Sequence, residues 1–343
     1  MARIAKEAIL DFFTYPPVGD DEWQYTFQTA QVRIYEMGML SRVTLLDMAN
    51  VDSFERAADL LIGTEYALQA GRDFGLVQQV LKARRTAVRS LFAELMLDRA
   101  VVELFRAQDD FANLRLAVRR MLTGKSVGKD YSEDGNVAAE AFEDVFAQES
   151  NKVLPAHMQQ AVDQAVLGYY QDKDIRRVDY AIDAVQAEYN LRRARQLGSI
   201  FLTGLFRIQI DLTNIRTMLR LKFTGAEKRN VFLEGGYVSL ERFRTGLELG
   251  YEALGPLFFV TPYQRVVEAG AAYLTSNKSF LKLEQQCDEH LTGFLKSTVQ
   301  VVAGPQPIIA YLLMKENEIR TVRLILTAKR NSLDTKLILD RVA

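Results

Sequence analysis

Apolar residues recur at intervals of three and four through most of this chain. Phe111, Leu114, Val118 and Met121 form one series, Leu212, Ile215, Leu219 and Phe223 a second, and Ile319, Val322 and Leu326 a third. This spacing sets apolar groups along one stripe of a helix, the stripe that packs on a neighbour. No segment keeps the strict apolar–polar alternation of a half-buried strand. The short run Leu257-Phe258-Phe259-Val260, beside Gly255-Pro256, reads as a loop packed on the core. The expected fold class is all-α.

Helix ends can be placed as well. Thr123-Gly124 and Thr224-Gly225 close the first two series, since glycine adopts the left-handed conformation that ends a helix. The third series continues through Thr327-Ala328-Lys329-Arg330 and is expected to end differently. Upstream, helices open at Phe74, Ile175 and Phe280, each after a turn with polar or capping residues: Gly71-Arg72-Asp73, Gln171-Asp172-Lys173-Asp174 and Ser276-Asn277-Lys278-Ser279.

These features share one period. An Asn-Leu-Arg core appears as Asp110-Phe-Ala-Asn113-Leu114-Arg115, as Asp211-Leu-Thr-Asn214-Ile215-Arg216, and as Lys315-Glu-Asn-Glu318-Ile319-Arg320 followed by Arg323. Asn113, Asn214 and Glu318 stand 101 and 104 residues apart, and Val77, Val178 and Leu283 stand 101 and 105 apart. A further pair of elements, Gly38-Met-Leu40-Ser41 with Thr64-Glu-Tyr66, returns as Gly236-Tyr-Val238-Ser239 with Thr261-Pro-Tyr263. The middle copy is weakest here, with Asp134-Gly135-Asn136-Val137 and no Thr-x-Tyr. A fixed period implies a repeated helical architecture. Three repeat units are expected over residues 1–124, 125–225 and 226–343, each a short helix pair followed by a long antiparallel pair. The stretch 124–136 is the candidate linker.

Composition narrows the function. Of 343 residues, 43 are basic and 44 acidic, for a net charge of −1, so there is no global attraction to nucleic acid or anionic lipid. Arg192-Arg193-Ala-Arg195 and Lys82-Ala-Arg84-Arg85 read as solvated helix faces. The single cysteine, Cys287, excludes a disulfide framework and fits a reducing compartment. The start of the chain has no apolar signal core. The most apolar stretch, 299–314, is broken by Gln300, Gly304, Pro305, Gln306 and Pro307, so no direct membrane span is expected.

Candidate chemistry is sparse. Asp109-Asp110, with Asn113 a turn later, could offer oxygen ligands to Mg²⁺ in an all-helical enzyme. The other copies carry Ile210-Asp211 and Met314-Lys315 at this place, so the shared part reads as a packing device, with Asp and Asn capping or pairing with Arg across a helix pair. Asp130-Tyr-Ser132-Glu-Asp134-Gly135 imitates a calcium loop, but its last ligand position holds Ala141. Gly124-Lys125-Ser126 imitates a phosphate loop, but Arg119 stands where that loop needs its first glycine. The two histidines, His157 and His290, lie far apart, and the Cys287/His290 pair cannot complete a zinc site. No catalytic residue, cofactor or metal is expected.

Residues 25–66, with Val32-Arg33, Leu40-Ser41 and Thr64-Glu-Tyr66, resemble the opening of the C subunit of V/A-type ATPases, the family that includes the d subunit of V-ATPases. Asp110 to Thr123-Gly124, and Asp211 to Gly225 with Phe232-Leu-Glu-Gly235-Gly236, are similar to its long-helix signatures. Ile308-Ile-Ala-Tyr311-Leu312-Leu-Met-Lys315-Glu316-Asn-Glu318-Ile319-Arg320 resembles the C-terminal one. The resemblance implies a pseudo-threefold, funnel-shaped, non-catalytic rotor subunit on the cytoplasmic side of the membrane. It would connect the central-stalk subunits to the membrane proteolipid ring and transmit torque for coupled ATP synthesis or hydrolysis and proton or sodium transport. The alternatives are a helical-repeat adaptor unrelated to ion pumping and a Mg²⁺-dependent enzyme using Asp109 and Asp110. The enzyme reading has Asp109→Ala abolish turnover without loss of folding. The scaffold reading has Asp109→Ala nearly silent and Asn113→Ala or Arg216→Ala clearly destabilising in thermal melts, through loss of buried partners.

Overall fold

The computed structural model describes residues 15–67, 73–124, 131–147, 154–225 and 231–342. The N-terminal stretch before Tyr15, Gly71-Arg72 of the first capping turn, Lys125-Ser126 and Asp130 lie outside the described residues. Among the described residues there are fifteen α-helices, three 3-10 turns and no strand, so the fold class is all-α. In chain order the helices are α1 (Thr26–Glu36), α2 (Arg42–Asn50), α3 (Phe54–Asp59), α4 (Phe74–Leu95), α5 (Arg99–Thr123), α6 (Ala139–Ala147), α7 (Ala156–Asp172) and α8 (Arg176–Gln196). They continue with α9 (Ile200–Thr224), α10 (Leu240–Glu248), α11 (Leu254–Leu257), α12 (Gln264–Asn277), α13 (Leu281–Lys296), α14 (Pro305–Arg330) and α15 (Thr335–Val342).

By contact the chain forms two compact units. One joins Met1–Leu97 with Thr245–Ala343, and the other is Asp98–Arg244. In the first, α14 packs on α1, α2, α3 and α4. Its core takes Met48, Ala57, Leu61, Val77 and Leu81 from early in the chain and Ile319, Val322, Leu326 and Ile338 from late in it. In the second, α8 packs on α5, α7 and α9, and Phe111, Leu114 and Val118 meet Met158, Ala161, Val178 and Ile182. Phe111, Leu114, Val118, Ile319, Val322 and Leu326 of the predicted stripes lie in these cores, and Leu212, Ile215 and Leu219 are buried, whereas Met121 and Phe223, the last of their series, are exposed.

Local signals act as the sequence implies. Asp73, Asp174 and Ser279 each accept the amide two residues on, from Gly75, Arg176 and Leu281, and satisfy a helix-start donor. Gly124 and Gly225 close α5 and α9 in the left-handed conformation, at φ 66° and 65°. Helix α14 ends without glycine. Ser332 takes the left-handed position at φ 51°, its amide bonds Lys329 O, and Leu333 N bonds Ala328 O. The hydrogen-bond closure is that of a glycine-ended helix, with a side chain at the position that disfavours one. In the run 257–260, Leu257 ends α11, Phe258 is buried, and Phe259 and Val260 stay exposed.

The repeated Thr-x-Tyr is a small turn. Thr64 Oγ1 donates to Leu61 O at 2.7 Å and accepts from Tyr66 N at 3.1 Å. Thr261 does the same with Phe258 O at 2.7 Å and Tyr263 N at 3.3 Å. A hydroxyl can serve as donor and acceptor at once, which lets one threonine close the turn after the short helices and aim the tyrosine into the core.

Candidate functional site

The Asn-Leu-Arg signature is the visible part of a side-chain clamp on backbone. Asp110 and Asn113 stand one turn apart on α5 and so share a face. Asn113 exchanges two hydrogen bonds with the backbone of Ser132, Nδ2 donating to Ser132 O and Ser132 N donating to Oδ1, both 2.8 Å. Asp110 accepts from Asn136 N, Asn136 Nδ2 and Val137 N, each at 3.0 Å. On α9, Asn214 exchanges the same pair with Leu233, both 2.8 Å, and Asp211 accepts from Tyr237 N at 2.8 Å and Val238 N at 3.2 Å. The separations match in both copies: 19 residues from asparagine to loop, and 26 and 27 from aspartate to loop.

All four clamp residues are buried. The held segments are irregular, so their amides have no helical partner and need one from a side chain. A glycine precedes the first amide gripped by each aspartate, and a Cβ on Gly135 or Gly236 would collide with the Asp110 or Asp211 carboxylate. Burial pushes the Asp110 carboxyl above its ordinary value, against the pull of the amides that favour the anion.

The third copy inverts the charges. Lys315 stands at the aspartate position and Glu318 at the asparagine position. Glu318 Oε2 accepts from Leu40 N at 2.6 Å, while Oε1 accepts from Tyr66 Oη at 2.6 Å and Lys315 Nζ at 2.6 Å. Lys315 is wholly buried, 3.4 Å from Glu65 and over the Tyr66 ring at 5.0 Å. Leu40 holds the place in Gly38-Met-Leu40-Ser41 that Val238 holds in Gly236-Tyr-Val238-Ser239, yet it is 278 residues from Glu318. Burial and the charge of Glu318 push the Tyr66 hydroxyl far above its ordinary pKa, which keeps it a donor. The first two long helices thus grip a loop downstream, and α14 grips one near the start of the chain.

The family model described as "ATP synthase (C/AC39) subunit" matches residues 28–341. The chain belongs to this family. It is 23% identical over 317 residues to the C subunit of the V-type sodium ATPase of Enterococcus hirae, covering 91% of this chain and 95% of that one. It is 24% identical over 317 residues to the C subunit of the V-type ATP synthase of Thermus thermophilus, with 89% and 94% covered. It is 29% identical over 141 residues to the C subunit of the A-type ATP synthase of Methanococcoides burtonii, covering 40% and 39%. Membership in the C/AC39 family makes the chain a non-catalytic subunit of a V/A-type ATPase.

In this C/AC39 chain the signature arginines do other work than the clamp residues. Arg115 pairs with Asp183 of α8 and lies 3.5 Å from Asp179, and Arg119 reaches Asp179 at 3.1 Å. These half-exposed pairs across α5 and α8 contribute little individually. Arg216 and Arg323 are half-buried, and Arg320 is exposed with its guanidinium on Asn317 Oδ1 at 2.7 Å. Of the expected capping or pairing with Arg, Asp110 and Asn113 show neither among the described residues: they bond the loop backbone at Ser132, Asn136 and Val137, and Asp110 also accepts from the Asn136 side chain. Asp109 is itself buried, so the near-silent Asp109→Ala expected from sequence gives way to a structural cost.

Both Asp110 oxygens accept N–H groups, so this carboxylate is engaged with the loop it holds. Among the described residues no group of three or more His, Cys, Asp and Glu is placed to hold a metal. Sequence reasoning missed Lys315 and Tyr66 as members of the network, and the two clamp glycines. The signal for the glycines was the constant offset to a Gly one residue before the gripped amide.

The histidines are ring-packed. His157 stacks on Tyr189 at 4.2 Å, and burial lowers its pKa. His290 lies 5.2 Å from the Tyr15 ring and 4.9 Å from Tyr263, above buried Cys287 in α13, and desolvation pushes its pKa down to about 4. A base with a lowered folded pKa contributes stability above its ordinary value near 6.5, lost as pH falls toward 4. Chemical denaturation of the parent should weaken from pH 6.5 to 4 more than that of His290→Phe, and an NMR titration of His290 near 6.5 would refute the assignment. Gly236→Ala should lower unfolding free energy by about 2–4 kcal/mol through loss of the clamp, whereas Gly38→Ala, where a Cβ meets only ordinary contacts, should cost about 1 kcal/mol or less. Equal effects in urea unfolding would contradict the clamp.

Proposed function

We propose that the chain is the central-rotor connector of its ATPase. It seats on the cytoplasmic mouth of the membrane proteolipid ring, receives the end of the central stalk, and passes torque between them without chemistry of its own. The reading takes the three repeats, 1–124, 125–225 and 226–343, as related parts of one pseudo-threefold, funnel-shaped body.

The observation that carries this reading is the buried clamp in the middle of α5, α9 and α14. A connector under torque must resist hinging where helices meet loops. Side-chain bonds from mid-helix to loop backbone remove that freedom, and close-packed cores transmit the remaining strain. The Glu318 network adds a fastening between early and late parts of the chain. No helix among the described residues is long and apolar enough to cross a membrane, and this reading needs none, since the ring provides the span.

The test is reconstitution of the ATPase in vesicles with and without this chain. The catalytic head should hydrolyse ATP in both cases, while ATP-driven ion transport should appear only when the chain is present. A tagged chain should retain ring and stalk subunits. Transport indifferent to the chain, or retention of neither partner, overturns the proposal.

A further inference from the structure

Helix α1 has apolar groups on two opposite faces. Tyr25, Thr29 and Val32 are buried and fix it to its own unit. The other face carries Trp23, from the 3-10 turn Trp23–Tyr25 that leads into the helix, then Phe27, Ala30, Ile34 and Met37. Trp23, Phe27 and Ile34 are each 69% exposed and Met37 is 85% exposed. Within α1, Phe27, Ala30 and Ile34 keep the three-and-four spacing of a coiled-coil seam, on a helix of 11 residues, about 16 Å at 1.5 Å per residue. Trp23 in the 3-10 turn and Met37 at the C-cap prolong the apolar patch at either end. The loop after α13 runs alongside, since Arg33 donates to Thr298 O at 2.8 Å and Val301 O at 3.2 Å, and it adds exposed Val299 and Val302. With a large aromatic side chain presenting about 150–250 Å² in full, the patch is on the order of 500 Å². A contiguous apolar patch of that size is near the upper end of what a monomer exposes, and such patches are often functional.

We propose that this face of α1 docks one amphipathic helix of a partner, with apolar residues at heptad spacing. Resting on the function proposed above, that helix belongs to the coiled-coil central stalk. A seam with this spacing interlocks with a second helix and offers neither the open edge that a strand needs nor a pocket. The positions beside it, Gln24, Thr26 and Gln31, are uncharged, and Arg33 is paired with Glu36 at 2.8 Å, so the partner helix needs no matching charge there. Helix α1 has no lysine and its opposite side is buried in protein, unlike a helix that lies on anionic lipid. About 500 Å² from each side makes an interface at the low end of specific reversible association, well short of the 2,000 Å² or more of an obligate dimer. That extent suits one docked helix better than a second copy of this chain.

Trp23 is the only tryptophan of the chain, so it reports from within the seam. The full-length chain is titrated with the stalk subunit, any tryptophan of which is changed to phenylalanine. Trp23 emission should shift to the blue and saturate. Phe27→Asp combined with Ile34→Asp should weaken binding by about tenfold or more, with the thermal melt unchanged because both side chains are exposed in the free chain. Parent binding with a variant affinity within twofold overturns the docking face and leaves the connector function standing. A parent chain that binds neither stalk nor ring overturns both. A dimer in sedimentation that the two substitutions dissociate, or binding to phosphatidylglycerol vesicles that they abolish, overturns the stalk helix as occupant.

Discussion

A buried carboxylate or carboxamide that holds the amides of an irregular loop is the interaction on which the rest of this molecule depends. Helices satisfy their own backbone, but the segments that join them do not, and a repeated helical body has many such segments. Asp110, Asn113, Asp211 and Asn214 supply from mid-helix what the loops lack. The arrangement also sets the register between helix and loop, because the donors and acceptors fit only at one offset. In the third copy the same demand is met with opposite chemistry. Lys315 compensates the charge of Glu318, and the longer glutamate reaches two donors from early in the chain. Removing either partner would leave a charge in the interior, a loss of about 3–5 kcal/mol.

Much of this was legible in the residues because it is local. Helix starts at Asp73, Asp174 and Ser279, and the glycine ends at 124 and 225, involve groups within a few positions of each other. The period near one hundred residues exposed the clamp helices. Their partners were harder to see. Asp110 and Asn113 looked like groups for the nearby arginines, since opposite charge on one helix pair is the simplest pairing, whereas their true partners are backbone atoms that leave no mark in the side-chain pattern. Charge inversion hid the third clamp, because Lys315 and Glu318 match the Asp-x-x-Asn pattern only by position. The two faces of α1 were indistinguishable for a related reason. Apolar periodicity records that a stripe avoids water, and not whether its cover is intramolecular.

Rigidity and assembly place different demands on this member of the C/AC39 family, and its surface and interior divide them. The clamp groups of the interior are paired and directional, which resists hinging. The α1 seam is apolar and nearly uncharged, which suits contact that is made after folding and can be undone.

The fastening of Leu40 to Glu318 has a consequence for how the molecule is made. The unit formed by 98–244 is continuous in sequence and can collapse as soon as it leaves the ribosome. The other unit takes its core from α2, α3 and α4 together with α14, so its early helices wait with their apolar faces uncovered until α14 has been made. During that interval the most exposed liability is the apolar face of those early helices. Synthesis halted before α14 would leave a folded middle flanked by an unfinished start, a species for chaperones or proteases to recognise.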